Sequence, residues 1–107
     1  AVVLYDHAMP SMRIDLQEGF NNDAVEVYVN GAKVMEKEGV TTKRMLGLAL
    51  SSEIEVPDGA VAIEIKVPTK NLAKMFSVES FDISNLGVSI HNGELKGITS
   101  KKRFGYA

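Results

Sequence analysis

Hard oxygen donors are concentrated in one short loop of the chain, "EGFNND". Asn21, Asn22 and Asp23 carry amide and carboxylate oxygens, which are the ligands that calcium prefers. The spacing of an EF-hand is absent, and Asn and Asp are also common turn formers in front of a strand. The three residues are therefore a candidate ligand-binding loop, and calcium is the one cofactor that the sequence suggests.

A second group of carboxylates lies in "EIEVPDGAVAIEIKV". If this stretch forms a hairpin around the loop Pro57–Ala60, Glu53 lies opposite Glu64, with Glu55 on the same face. Carboxylates at that distance repel each other and destabilise a sheet unless a cation or a basic partner neutralises them. Glu53, Glu55 and Glu64 are therefore a candidate metal site, and screening by Lys66 and solvent is the alternative.

Tyr28 and Lys33 lie on the polar face of the first predicted hairpin, in "DAVEVYVNGAKV". A tyrosine ring close to the Asn- and Asp-rich loop could bind a sugar, and small β-sandwiches often bind carbohydrate. This tendency belongs to the fold and not to any site in this chain. A cross-strand Tyr–Lys pair on a solvent-facing sheet is the alternative explanation of the same two residues.

No pattern of nucleophilic or metal-assisted catalysis is present. The chain has no cysteine, and it lacks the G-x-S-x-G, Walker, G-x-G-x-x-G and H-E-x-x-H motifs. Its histidines are His7 and His91, and His91 flanks a predicted tight turn where an ion pair with Glu94 would explain it. We therefore predict that the protein is not an enzyme.

The composition argues against two classes of partner. Twelve Lys and Arg against 14 Asp and Glu, a net charge of −2, produce no field that would attract nucleic acid or an anionic membrane. The basic end "SKKRFGYA" is too short for a nucleic-acid footprint, so we expect a solvated end or a terminal strand that docks its aromatics on the core. No apolar run approaches the roughly 18 residues of a membrane span.

The compartment is unknown from the sequence, with the cytoplasm as the default. The start "AVVLYDHAMPS" lacks the basic and apolar regions of an intact signal peptide. Residues 1–11 are expected to be an N-terminal arm, either native or a non-native remnant, in front of a domain at 12–107. "AVVLY" would make a good edge strand.

A two-residue alternation of apolar and polar side chains predicts the elements that position these residues. In the first hairpin, Asn30-Gly31 suits a type I′ turn, which pairs Val29 with Ala32 and Val27 with Val34. The hairpin around Pro57–Ala60, introduced above, would place its apolar residues on a single face.

The third hairpin is predicted around Asn92-Gly93 in "LGVSIHNGELKGIT". The turn pairs Ile90 with Leu95 and His91 with Glu94, and a bulge at Gly97 would return Ile98 to the apolar face.

Two further segments allow alternatives. "KRMLGLALSS" favours a strand covered on both sides, with a short helix as the alternative. "NLAKMFSVESFDIS" changes phase, which indicates a bulge or bend near Ser80 or one helical turn after Asn71.

About eight short strands with turns every 8 to 12 residues predict an all-β, single-domain antiparallel β-sandwich of the jelly-roll or immunoglobulin-like kind. Tyr28 and several methionines lie off the main apolar phase, and methionine-rich surfaces often meet partners. We therefore expect a non-enzymatic interaction or structural module that could self-associate, with "AVVLY" adding to a neighbour's sheet edge. Filling of a second core layer is the alternative for the methionines, and a lectin-like carbohydrate-binding domain is the alternative function.

Overall fold

The computed structural model describes residues 10–106. Eight β-strands lie between residues 11 and 100. Their bounds are β1 Ser11–Leu16, β2 Asp23–Val29, β3 Ala32–Val40, β4 Leu50–Glu55, β5 Ala60–Val67, β6 Leu72–Glu79, β7 Asn85–His91 and β8 Glu94–Ser100, with a 3-10 helix at Pro68–Lys70. The predicted arm, including "AVVLY", Tyr5 and His7, lies outside the described residues apart from Pro10 and Ser11. Within 10–106 no helix is long and apolar enough to cross a membrane.

The strands form two four-stranded sheets that pack face to face. Sheet A has the order β4-β1-β7-β8, and sheet B has the order β3-β2-β5-β6. All neighbouring strands are antiparallel except β1 and β7, which are parallel. The predicted all-β sandwich is confirmed.

The core lies between the inward rows of the two sheets, as the two-residue alternation predicts. Sheet A contributes Met12, Ile14, Leu16, Ile54, Leu86, Val88 and Leu95, and sheet B contributes Val25, Val27, Val29, Val61, Ile63, Ile65, Val67 and Val78. Phe20, Val40 and Val56 complete the buried cluster. Burial of these side chains supplies the main driving force for folding.

The first hairpin forms at the predicted turn with one change of register. Asn30 and Gly31 have positive φ angles of 48° and 87°, and Val29 pairs with Ala32 as predicted. The pairing of Val27 with Val34 is wrong, because an irregularity after Val27 gives it Met35 as its partner. The irregularity lets Met35 pack against the core and leaves Val34 exposed on the edge strand.

The second predicted hairpin does not exist. β4 belongs to sheet A and β5 to sheet B, so the chain crosses between the sheets after Glu55. Glu53 pairs with Arg13, and Glu64 lies between Tyr28 and Met75. The alternation gives the face of a strand but not its neighbour, since both segments can bury their apolar rows from either sheet.

The third hairpin has the predicted pairs Ile90–Leu95 and His91–Glu94. The predicted bulge at Gly97 is wrong, because the register runs on through Val88–Gly97 and Ile98 stays exposed. The ring of Phe76, from β6 in the other sheet, occupies the space beside Gly97. A Cβ on Gly97 would lie 2.3 Å from a ring carbon.

The segment "KRMLGLALSS" is neither a continuous strand nor a helix. It folds into a tight turn that is closed by an isolated antiparallel β-bridge between Lys43 and Leu48. Gly47 has a positive φ of 67° in this turn, and β4 begins only at Leu50. Met45 therefore points into solvent.

The predicted bend near Ser80 is confirmed, since Glu79 ends β6 and its carbonyl accepts the N–H groups of Asp82 and Ile83. The helical turn precedes Asn71 instead of following it, and Asn71 ends it with a φ of 55°.

The contact between Gly97 and Phe76 can be tested by substitution. We expect Gly97→Ala to lower the free energy of unfolding by about 1–3 kcal/mol, because the added methyl group must displace the ring. Urea denaturation measures the change. Gly105→Ala is the matched control, since no atom lies within 4 Å of its added Cβ. Equal stability of the two variants would contradict this packing, and Phe76→Leu should restore part of the loss.

Candidate functional site

A buried carboxylate lies on the outer face of sheet A, where the sequence predicts only solvent. Because Met12, Ile14 and Leu16 of β1 face the core, the alternate residues of β1 point outward. Asp15 is one of these, and yet only 1% of it is exposed. The chain after β8 covers it by returning across the sheet to place Tyr106 above β1.

Direct hydrogen bonds satisfy Asp15. The Tyr106 hydroxyl donates to Asp15 Oδ2 at 2.6 Å, and the Ser51 hydroxyl donates to Asp15 Oδ1 at 2.7 Å. Gln17 Nε2 donates in turn to the Tyr106 oxygen at 3.0 Å. Gly87 leaves room for this amide, because a Cβ there would lie 2.6 Å from Gln17 Nε2. A buried carboxylate needs such donors, since burial without them is costly.

The environment of Tyr106 keeps its hydroxyl protonated. Burial and the hydrogen bond to the Asp15 carboxylate raise the pKa of Tyr106 to about 12. The neutral hydroxyl is therefore the donor over the whole physiological range, and the end of the chain is held on sheet A. The expected terminal strand that docks its aromatics on the core is wrong, because residues 101–106 form no strand and Tyr106 docks on the outer face of sheet A.

The carboxylates predicted as a metal site are not brought together. Glu53 is on sheet A, 3.9 Å from guanidinium nitrogens of both Arg13 and Arg103. Glu64 is on sheet B, 3.9 Å from Lys66, and Glu55 is exposed at the end of β4. In the part of the chain from residue 10 to 106, no group of three or more Asp, Glu or His side chains could hold a metal ion.

Tyr28 and Lys33 are cross-strand partners on the outer face of sheet B. The Tyr28 hydroxyl donates to Glu26 at 2.8 Å, which raises the pKa of Tyr28, and the Lys66 ammonium lies 4.7 Å from the ring centroid. Lys33 reaches Glu26 at 3.8 Å and Glu36 at 3.4 Å. Charges of both signs therefore alternate across this face and compensate each other.

The candidate loop residues divide into two exposed asparagines and one buried aspartate. Asn21 and Asn22 face solvent, whereas Asp23 accepts the Asn21 N–H at 2.9 Å, the Thr69 hydroxyl at 2.6 Å and the Lys70 ammonium. Burial raises the pKa of Asp23, but these hydrogen bonds outweigh it and hold the pKa below its usual value. Asp23 thus ties the start of β2 to the 3-10 helix.

One side of the sandwich is open between the edge strands β3 and β4. A groove of about 510 Å³ lies there, with the apolar residues Val29, Val34, Ile54 and Pro57 and the acidic residues Glu53 and Glu55 in its lining. A second groove of about 400 Å³ follows on the same side, and its charged lining residues are Lys37, Glu38 and Lys43. β3 pairs only with β2, so the other edge of its nine residues has no strand partner in the described chain.

Comparison with protein-family models, with curated proteins and with solved structures finds no match to this chain.

The sequence reasoning missed Asp15 and its network. The alternation in "MRIDLQ" placed Arg13, Asp15 and Gln17 outward, and polar residues on an outward face are ordinarily solvated. The available signals were a glycine in β7 and a tyrosine at the end of the chain. Neither one indicates by itself that Tyr106 reaches Asp15 of β1.

Removal of one hydroxyl tests the Asp15 network. We expect Tyr106→Phe to lower the free energy of unfolding by about 1–3 kcal/mol, because Asp15 loses a donor while it stays buried. Tyr28→Phe is the control, and it should cost less than Tyr106→Phe, because Glu26 is half-buried and can turn to solvent when it loses the Tyr28 donor. Urea denaturation compares the two.

The raised pKa of Tyr106 predicts how its contribution to the free energy of unfolding depends on pH. Because the pKa of Tyr106 is raised by folding, the contribution of Tyr106 to stability is fully present below pH 10.0, the pKa in the unfolded chain. This contribution is lost as the pH rises through about 12. Ultraviolet titration should show a tyrosine that ionises near pH 12 and is missing from Tyr106→Phe. Ionisation of every tyrosine near pH 10 would contradict the buried network.

Asp23 should contribute stability with the opposite pH dependence. Its pKa is lowered from 3.8, so the contribution is present above that value and is lost as pH falls through the lowered pKa. We expect Asp23→Asn to lower the free energy of unfolding at pH 7 by about 1–3 kcal/mol. The difference from the wild type should shrink in strong acid. Asp58→Asn, at an exposed loop position, is the control, and a loss that does not change with pH would argue against an ionic role of Asp23.

Proposed function

We propose that this domain is a non-enzymatic interaction module and that its contact surface is the open side between β3 and β4. The occupant that we propose for this surface is a second copy of the chain. The observation that carries the proposal is an unpaired strand edge beside a groove with exposed apolar residues. Val34, on that edge, is 45% exposed.

An exposed strand edge with apolar neighbours is a site at which sheets associate. Proteins commonly guard such edges with charges, and an inward-pointing lysine is one of the devices. Lys37 fits that description, because it lies opposite the buried Val25. A guarded edge accepts only a partner with complementary charges, which makes specific association possible while it suppresses aggregation.

The charges along the open side are complementary to themselves. The groove beside Val34 carries the acidic pair Glu53 and Glu55, and the second groove carries the lysines Lys37 and Lys43 together with Glu38. A two-fold axis reverses the direction of the open side in the partner. It therefore sets the acidic end of one copy against the lysine-bearing end of the other.

The opposite side of the sandwich supports the choice of surface. There, β6 and β8 contact each other, and the Phe76 ring fills the space beside Gly97. An apolar side chain of one sheet thus covers the other at that edge. No such bridging ring is found between β3 and β4 in the described chain, and the grooves there, of about 510 and 400 Å³, are larger than the groove of about 330 Å³ between β6 and β8.

Self-association through this side can be measured by analytical ultracentrifugation over a range of protein concentrations. We expect the average mass to rise from 11.6 kDa towards twice that value. Val34→Asn should abolish the rise. Met75→Asn is the matched control, because Met75 is a 54% exposed apolar residue on the other edge strand of sheet B. A mass that stays at one chain at every concentration would refute the proposal.

Charge reversal tests the orientation of the two copies. Glu55→Lys alone and Lys37→Glu alone should each weaken self-association about tenfold. Because of the two-fold axis, each substitution turns two opposite-charge contacts of the dimer into like-charge contacts. An equimolar mixture of the two variants should recover the affinity, because a mixed pair restores both opposite-charge contacts. Recovery separates this geometry from a non-specific apolar contact. A mixture no stronger than its components would exclude the two-fold arrangement.

A further inference from the structure

Arg13 carries hydrogen-bond donors that no described residue uses. Its side chain is 27% exposed, and its nearest acceptors are Asp15 Oδ1, 3.7 Å from Nε, and Glu53 Oε1, 3.9 Å from Nη1. Both distances are too long for a hydrogen bond. A guanidinium has five N–H donors, and burial without acceptors is costly for a charged group.

The docked end of the chain brings two more cations to Arg13. Because Tyr106 is held on β1, the preceding residues run along the same outer face of sheet A. Lys101 and Arg103 then line a cavity of about 330 Å³ together with Arg13. The cavity lies at the lower limit of the size range for small-ligand sites.

Neutral donors complete the lining of this cavity. Ser11 and Ser84 bring hydroxyl groups to the lining. Asn85 brings a side-chain amide, of which one N–H donates to the Ser100 carbonyl at 3.4 Å and the other is left for a ligand. A mixture of guanidinium, ammonium, hydroxyl and amide groups is the set that proteins use to bind oxyanions. The "SKKR" run, too short to bind nucleic acid by itself, acquires a local role through its place beside β1.

Glu53 marks the point in the cavity where a negative charge is favoured. Its Oε1 is 3.9 Å from Arg13 Nη1 and 3.9 Å from Arg103 Nη2. Neither distance is short enough for a hydrogen bond to a guanidinium. A free oxyanion in the cavity can approach both guanidiniums at once. The Glu53 side chain is exposed and can turn away to admit it.

We propose that the cavity formed by Arg13, Lys101 and Arg103 binds a phosphate group, either as inorganic phosphate or as a phosphomonoester. The cavity lining has three cations against the single carboxylate of Glu53, and Asp15 lies 3.7 Å from Arg13 Nε, so the site keeps a net positive charge that favours a phosphate, which carries about −1.5 to −2 near pH 7. Arginine binds such groups through paired N–H donors. This site does not depend on the proposed self-association.

Titration by nuclear magnetic resonance at constant ionic strength tests the site, with inorganic phosphate and glycerol phosphate as separate probes. We expect saturable shifts of amide signals around the cavity. Tighter binding of glycerol phosphate would identify a phosphomonoester as the better ligand, whereas tighter or equal binding of inorganic phosphate would assign the site to the free anion. The absence of saturation with both probes would overturn the proposal.

Charge variants distinguish a specific phosphate site from non-specific electrostatic attraction of the anion to the protein. Arg103→Gln should weaken phosphate binding about tenfold, since a charge-assisted hydrogen bond is lost. Its side chain is 73% exposed, so the fold should tolerate the change. Lys96→Gln removes the same charge from β8, outside the cavity lining, and should leave the affinity within about twofold.

Glu53→Gln tests whether the Glu53 carboxylate competes with the anion for the cavity. If Glu53 occupies the place of the anion, its neutralisation should tighten phosphate binding several-fold. Equal weakening by Arg103→Gln and Lys96→Gln, or weaker binding by Glu53→Gln, would refute the site. Arg13→Gln provides an independent variant at the half-buried cation and should lose binding as Arg103→Gln does.

Discussion

The two faces of β1 set the constraint on which the rest of the structure depends. Met12, Ile14 and Leu16 are fully buried between the sheets, so the alternate residues of the strand must point to the outer face of sheet A. Asp15 can be buried there only if donors reach it, because an unpaired buried carboxylate is too costly. Tyr106 supplies one of these donors, and the path of the chain after β8 follows from that need.

The two sides of the sandwich differ in how they manage unpaired edges. At β6 and β8 the Phe76 ring covers Gly97, so apolar surface from the two sheets meets directly. At β3 and β4 the sheets leave grooves, and charged residues such as Lys37 guard the edge. β6 and β8 are edge strands as well, but the groove between them is smaller, at about 330 Å³, so the guarded edge beside the larger grooves is the one that we assign to specific association. The proposed contact surface rests on this asymmetry.

Several residues selected for their chemistry have structural contacts in the fold. Asp23 holds Thr69 and Lys70 at the start of β2, and Tyr28 is engaged by Glu26 and Lys66 on sheet B. These contacts use the oxygens of Asp23 and the hydroxyl of Tyr28. The chemistry left open lies on sheet A instead, where the donors of Arg13 find no acceptor within hydrogen-bond distance among the described residues.

The sequence by itself determined which side chains of β1, β2 and β5 face inward and where two of the tight turns form. Alternation and the turn chemistry of Asn30-Gly31 and Asn92-Gly93 are local properties, and they need no knowledge of distant residues. Only the tertiary structure decided that β4 and β5 belong to different sheets, because either neighbour satisfies the same alternation. The meeting of Asp15 with Tyr106 is likewise a contact between residues 91 positions apart, which no local pattern specifies.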